Sequence, residues 1–294
     1  MNKKIIRSNM VKRTHLIDGL LSILERRVKK AERLLLEELV EGFVDKLQVT
    51  EGGQVRNTLH NKRMMASIDD VFDDFARTAG VELAKTVTEA ITKIINFNGQ
   101  YYRTFTTQAA LLPISTTVKE FMSSWLGLTK DGKVKPNGYL DTLIKDTTVK
   151  NYVKDFGMRA VIGQRGWMES KKELKNIIVG AKGKTGRLRQ YYRNFVYDTY
   201  SHVDRATAEV YAEKMGLNFA IYEGGIIKTT RTFCRERNGK TFHRSEIEKF
   251  DPKVAKPPNY NPMTDLGGYG CRHHLNWIPD TAARLYRDDV DSFK

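Results

Sequence analysis

The chain has 294 residues, 40% hydrophobic and 29% charged, enough for one large or two modest domains with a buried core and too apolar for disorder. Its formal net charge of +15 and pI near 9.6 point to a polyanionic partner, above all nucleic acid, with a merely soluble basic surface as the alternative. No apolar run has the length of a membrane span, and the N-terminal MNKKIIRSNMVKRTH breaks every apolar pair with charge; with only two cysteines, this predicts a reducing compartment and cytoplasmic assembly.

From about residue 14 to 47, Ile17, Leu21, Leu24, Val28, Ala31, Leu35, Leu39 and Phe43 recur every three or four positions, the pattern of a long amphipathic helix that Glu51, Gly52 and Gly53 end. Met65, Ile68, Phe72, Phe75, Ala79, Leu83, Val87, Ala90, Ile91 and Ile94 repeat the pattern, so residues 1–97 are expected to form a helical hairpin. Its apolar stripes either zip together or dock on a partner, and self-association is one way to use them.

Residues 98–164 read as a mixed region: Phe97 to Thr116 irregular, Lys130 to Gly138 a loop, and Asp141 to Val161 a helix. Residues 165–294 form a third unit. In it, Ser170 to Val179 and about 187 to 215 are expected to be helical, with Gly216 ending the second helix. The segment NFAIYEGGIIKTTRTF then reads as a β-hairpin turning at Gly224 and Gly225. The expected class is mainly α: a long N-terminal hairpin, a helical middle and a small C-terminal α+β module.

Two basic clusters contain no acid. Residues 1–13 carry Lys3, Lys4, Arg7, Lys12 and Arg13; the second cluster is Lys182, Lys184, Arg187, Arg189 and Arg193, beside Tyr191, Tyr192, Phe195 and Tyr197. The second is the candidate contact for double-stranded DNA without sequence preference, through its charge rather than through base stacking. GAKGKTG at Gly180 to Gly186 lacks the spacing of a phosphate-binding loop, and no catalytic elbow or metalloprotease helix is present.

The chain's two cysteines and half of its six histidines fall in TTRTFCRERNGKTFH and GGYGCRHHLNWIP. Cys234, Cys271, His273 and either His243 or His274 are candidate ligands of a tetrahedral zinc site; the alternative is two buried thiols with hydrogen-bonded histidines.

The helix RLRQYYRNFVYDTYSHVDRATAEVYAEKMG, the extended segment after it, Arg231-Thr232, Cys234 with Asn238-Gly239-Lys240 and Phe242, Pro257-Pro258, and Gly270-Cys271-Arg272-His273 with Ile278-Pro279 follow one another in an order that resembles the phage Mu F-like head-morphogenesis family. The resemblance covers about residues 165 to 280. It implies a minor head protein of a tailed-phage virion, associated with portal and other head proteins during procapsid assembly, often DNA-binding, and not an enzyme. Many relatives carry a further cysteine before the position of Cys234 and a Cys-Arg-Cys where this chain reads Cys271-Arg272-His273. The alternatives are a metal-dependent nuclease or toxin-like enzyme, which would need carboxylates beside a metal-bound water, and a plain nucleic-acid-binding accessory protein.

Overall fold

The computed structural model describes residues 3–129, 131–145 and 147–293, without the side chains of Ile5 and Thr147. Lys130 of the expected loop and Asp146 of the expected 141–161 helix lie outside the described residues. The fold is mainly α, with two small antiparallel sheets.

Helix α1 runs from Lys3 to Gly42, eleven residues further toward the N-terminus than its clear apolar repeat. Ile6, Met10 and Arg13 continue the buried stripe of Ile17, Leu20, Leu24, Val28, Ala31, Leu35 and Leu39, and Leu20 takes the inward position expected for Leu21. The second arm is segmented. It comprises α2 (Leu59–Arg63), a short 3-10 turn, α3 (Ser67–Phe75), a π-helical turn at Ala76–Gly80 and α4 (Val81–Tyr102). In one part of the chain Arg13 near the start of α1 meets Asn98 near the end of α4, and in another Gly42 at the end of α1 abuts Val71 of α3.

Phe97 to Thr116 is mostly helical rather than irregular. It holds the end of α4, a turn at 103–107 and the first half of α5 (Gln108–Trp125), which accommodates Pro113 inside the helix. Proline and the many threonines disguise this helix, because they lower helix propensity without preventing tertiary packing on Leu111, Val118 and Met122. The expected 141–161 helix is two helices, α6 (Tyr139–Ile144) and α7 (Thr147–Ile162), followed by α8 (Trp167–Ile178). GAKGKTG forms a tight two-stranded turn, β1 (Gly180–Ala181) with β2 (Lys184–Thr185), in which Gly180 and Gly183 supply positive φ angles. Helix α9 (Arg187–Lys214) ends at Gly216, whose φ of 63° gives the left-handed stop.

The last part of the chain contains β3 (Phe219–Gly224), α10 (Thr232–Arg237), β4 (Lys240–His243), α11 (Arg244–Ile247), β5 (His273–Ile278) and α12 (Asp280–Ala283). Strand order is β4-β3-β5, antiparallel throughout. The expected hairpin at Gly224 and Gly225 does not form: after β3 the chain makes a loop and α10 before its strand partner β4 begins. Asn238 and Gly239 fix that return, since Asn238 Oδ1 accepts the Gly224 N–H at 2.9 Å and the Gly239 N–H donates to the Tyr222 carbonyl at 2.7 Å.

Two compact units divide the chain, one made of Met1–Leu21, Glu89–Ser124 and Val196–Lys294, the other of Ser22–Thr88 and Trp125–Phe195. They cut across the division expected at residues 97 and 164, because α1, α4 and α9 each contribute residues to both. In the first unit Ile6 and Met10 pack with Phe219, Ile221, Ile278, Ala282, Ala283 and Val290, so the start of α1 is core to the three-stranded sheet. The second unit is closed by α1, α3 and α7, with Lys150 and Lys154 of α7 each 2.7 Å from Asp69 of α3.

Candidate metal centre

Alternation along the strands decides which side chains meet. Strand β3 puts Phe219 and Ile221 on one face and Ala220, Tyr222 and Gly224 on the other; its partner β5 places His273 opposite Gly224 and His274 opposite Glu223. His273 therefore shares the face of Tyr222, and their rings stack with centroids 5.1 Å apart. His274 points to the opposite face, where its Nδ1 lies 2.7 Å from Asp204 of α9.

Cys234 enters from α10, held above Tyr222 by the Asn238-Gly239 return. Cys271 enters from the segment preceding β5. Donor atoms of Cys234, Cys271 and His273 all lie within 4.8 Å of one another, and all three residues are buried. The sulfurs are 3.8 Å apart, and Cys271 Sγ is 3.9 Å from His273 Nδ1. The Tyr222 hydroxyl donates to Cys234 Sγ at 3.3 Å and lies 3.9 Å from Cys271 Sγ. His273 Nε2 is buried with no hydrogen-bond partner among the described residues.

The backbone around this cluster is pinned from α9. Arg205, itself buried, donates to the carbonyls of His273 (2.9 Å), Thr264 (3.0 Å) and Cys271 (2.5 Å). Asp198 accepts the Gly270 N–H at 2.8 Å, and Arg231 donates to the Tyr269 carbonyl at 2.6 Å, tying the two cysteine-bearing segments together. Gly267 sits against the sulfurs: a Cβ there would be 2.5 Å from Cys234 Sγ and 3.0 Å from Cys271 Sγ. The hydrogen bond from Cys234 holds the Cys271 thiol well below the usual thiol range, with help from His273 and the Arg205 charge, while that same contact and burial push Cys234 up. Two soft sulfurs and an imidazole in a dry site are suited to a thiophilic cation or to thiol oxidation.

Of the four residues expected as ligands, three converge and His243 does not. His243 pairs with Phe219 across the sheet and so lies on the other face; its ring caps α11 by accepting the Ser245 N–H and stacks on Phe293 at 4.5 Å. His274 is excluded by the same alternation. Tyr222, Arg205 and Gly267 were not singled out in the sequence. Arg205 offered one signal, a cation among the inward positions of α9, whereas Tyr222 and Gly267 acquire their roles only when distant segments meet.

The expected DNA-binding residues all lie in the second unit but are not equivalent. Lys182 and Lys184 are exposed on the β1–β2 turn. Arg187 is exposed with its guanidinium 4.3 Å from the Tyr152 ring, and Arg193 is 3.6 Å from Glu25. Arg189 is half-buried and committed to Glu32, which accepts both its backbone N–H at 3.2 Å and its guanidinium. Among the neighbouring aromatics, Tyr192 is buried and Tyr191 stacks on Phe195, so these rings serve packing. Helix α1 adds exposed cations: Arg26, Lys29, Lys30 and Arg33 line a groove of about 390 Å³.

Comparison with protein-family models, with curated proteins and with solved structures gives no match to this chain.

Proposed function

We propose that this protein is a minor head protein of a tailed phage, joining the portal and other head proteins during procapsid assembly and contacting packaged double-stranded DNA through its basic surface. The observation that carries the reading is the order of elements and motifs from α9 through Cys234-x-x-x-Asn238-Gly239 to Cys271-Arg272-His273, which resembles the Mu F-like head-morphogenesis family. The role is one of assembly and not of catalysis.

The exposed cations of α1 and of the β1–β2 turn support the DNA contact, since clustered Lys and Arg neutralise phosphates without reading sequence. A hydrolytic reading gains less. Cys234, Cys271 and His273 are buried, so the cluster presents no solvent-facing position at which a metal-bound water could meet a substrate.

The test is to follow the protein through assembly of the phage that encodes it. It should copurify with portal from procapsids and remain in mature virions at low copy number. A protein found only outside both particles would sink the reading.

A further inference from the structure

We infer that Cys234, Cys271 and His273 bind one zinc ion, with the Tyr222 hydroxyl at the fourth corner of the site. The donor atoms have the spacing of a tetrahedral ligand set. Ligand distances of about 2.3 Å for sulfur and about 2.1 Å for nitrogen or oxygen require edges of about 3.8 Å between sulfurs and about 3.6 Å between a sulfur and a lighter donor. The sulfurs stand 3.8 Å apart; the mixed edges are 3.3 and 3.9 Å to the Tyr222 hydroxyl and 3.9 Å from Cys271 to His273. Among the edges of the Cys-Cys-His set, Cys234 to His273 is at most 4.8 Å and would close to about 3.6 Å on binding.

Three further observations favour an ion over an apolar pocket. First, the imidazole of His273 is buried, and among the described residues the polar contact of its Nδ1 is the Cys271 sulfur at 3.9 Å, so the nitrogen that faces the sulfurs is open to a ligand. Second, Gly267 leaves open the space beside both sulfurs that any side chain would fill. Third, Arg205 grips the carbonyls of Cys271 and His273, fixing the backbone of two ligands from outside the donor set. Two thiolates and a zinc ion sum to zero charge, so a dry site is electrostatically reasonable.

A disulfide is the competing use of the same sulfurs, and it demands a different geometry. The sulfurs would have to close from 3.8 Å to about 2.0 Å, and His273 would keep only its stacking on Tyr222.

The test uses the full chain, purified without a histidine tag. Elemental analysis should give about one zinc per chain, and both thiols should resist modification until a chelator removes the ion. Replacing zinc with cobalt(II) should produce thiolate-to-cobalt charge transfer and the visible bands of a tetrahedral ion. Tyr222→Phe should weaken metal binding about tenfold or more, in the range expected when a group that completes or supports a site is lost. Cys234→Ser should abolish the charge-transfer spectrum of the folded protein; if that variant fails to fold, wild-type stoichiometry and the cobalt spectrum still decide. Protein free of zinc with both thiols reduced, or a mass lower by two hydrogens from a disulfide, overturns the assignment. Unchanged affinity in Tyr222→Phe removes Tyr222 from the fourth position. Neither outcome depends on the head-protein reading.

Discussion

Arg13 of α1 and Asp204 of α9 form a buried ion pair at 3.5 Å in the first unit, with both side chains almost wholly removed from solvent. Asn98 links them: its Oδ1 accepts from Arg13 at 2.9 Å and its Nδ2 donates to Asp204 at 2.8 Å. Removing Arg13 leaves the buried Asp204 with Asn98 and His274 but without its permanent counter-charge, so Arg13→Ala should destabilise the protein by about 3 kcal/mol, measured by denaturant unfolding. A loss below about 1 kcal/mol would mean that water reaches Asp204 after all.

The same network sets a pH dependence. Burial holds the His274 imidazole below its ordinary value, despite Asp204 beside it. A histidine with a depressed folded-state pKa binds its proton more readily in the unfolded chain, so its contribution is complete above about pH 6.5 and is lost as the pH falls below that. His243, lowered mainly by burial, acts in the same direction. Burial alone would raise Asp204, but the charges of Arg13 and His274 hold it well below the usual carboxylate range; its contribution persists down to about pH 4 and declines only below that. Stability should therefore fall as the pH drops below about 6.5, by up to about 1.4 kcal/mol per pH unit for the proton of His274. His274→Gln should flatten that slope, and an unaltered slope would place the titration elsewhere.

Gly267→Ala would drive a methyl group to 2.5 Å from Cys234 Sγ. Because the neighbouring backbone is held by Arg205, the site has little room to relax, and a cost of about 1–3 kcal/mol is expected with altered thiol reactivity. Thermal unfolding and thiol titration of the variant check both effects together.

The proposed DNA binding should be independent of sequence and fall with salt by about 0.9 log units per log unit of salt for each phosphate contact. Lys182, Lys184 and Arg187 to Gln should flatten the slope. Arg189→Gln should instead lower stability through Glu32, which burial already pushes up despite its arginine partner. Equal effects of Arg189 and Lys182 on the salt slope would contradict this division.

Periodicity made the helices legible, and clustering of rare residue types marked the neighbourhood of the Cys234, Cys271 and His273 cluster. The segment 97–116 was misread because Pro113 and its threonines speak against a helix locally while packing favours one. His243 was misplaced for another reason: chain proximity to Cys234 says nothing about which face of β4 it occupies until the register with Phe219 is known. Register also separates His273 from His274, adjacent in sequence and opposite in space. Tyr222 could not be found from spacing at all, since it lies beside both sulfurs only after α10 and the segment before β5 have folded over β3.

The hydrophobic contact of Ile6 and Met10 with Phe219, Ile221 and Ile278 has a temporal meaning. A ribosome delivers the start of α1 long before the strands that cover it, so an apolar stripe with a buried arginine must wait, solvated or shielded, until β3 and β5 have been made. Folding of the first unit cannot be completed vectorially. A C-terminal fragment beginning at residue 96 would lack Ile6, Met10 and Arg13 and should be recovered as an open, protease-sensitive chain, whereas adding residues 1–21 in trans offers a route to its rescue.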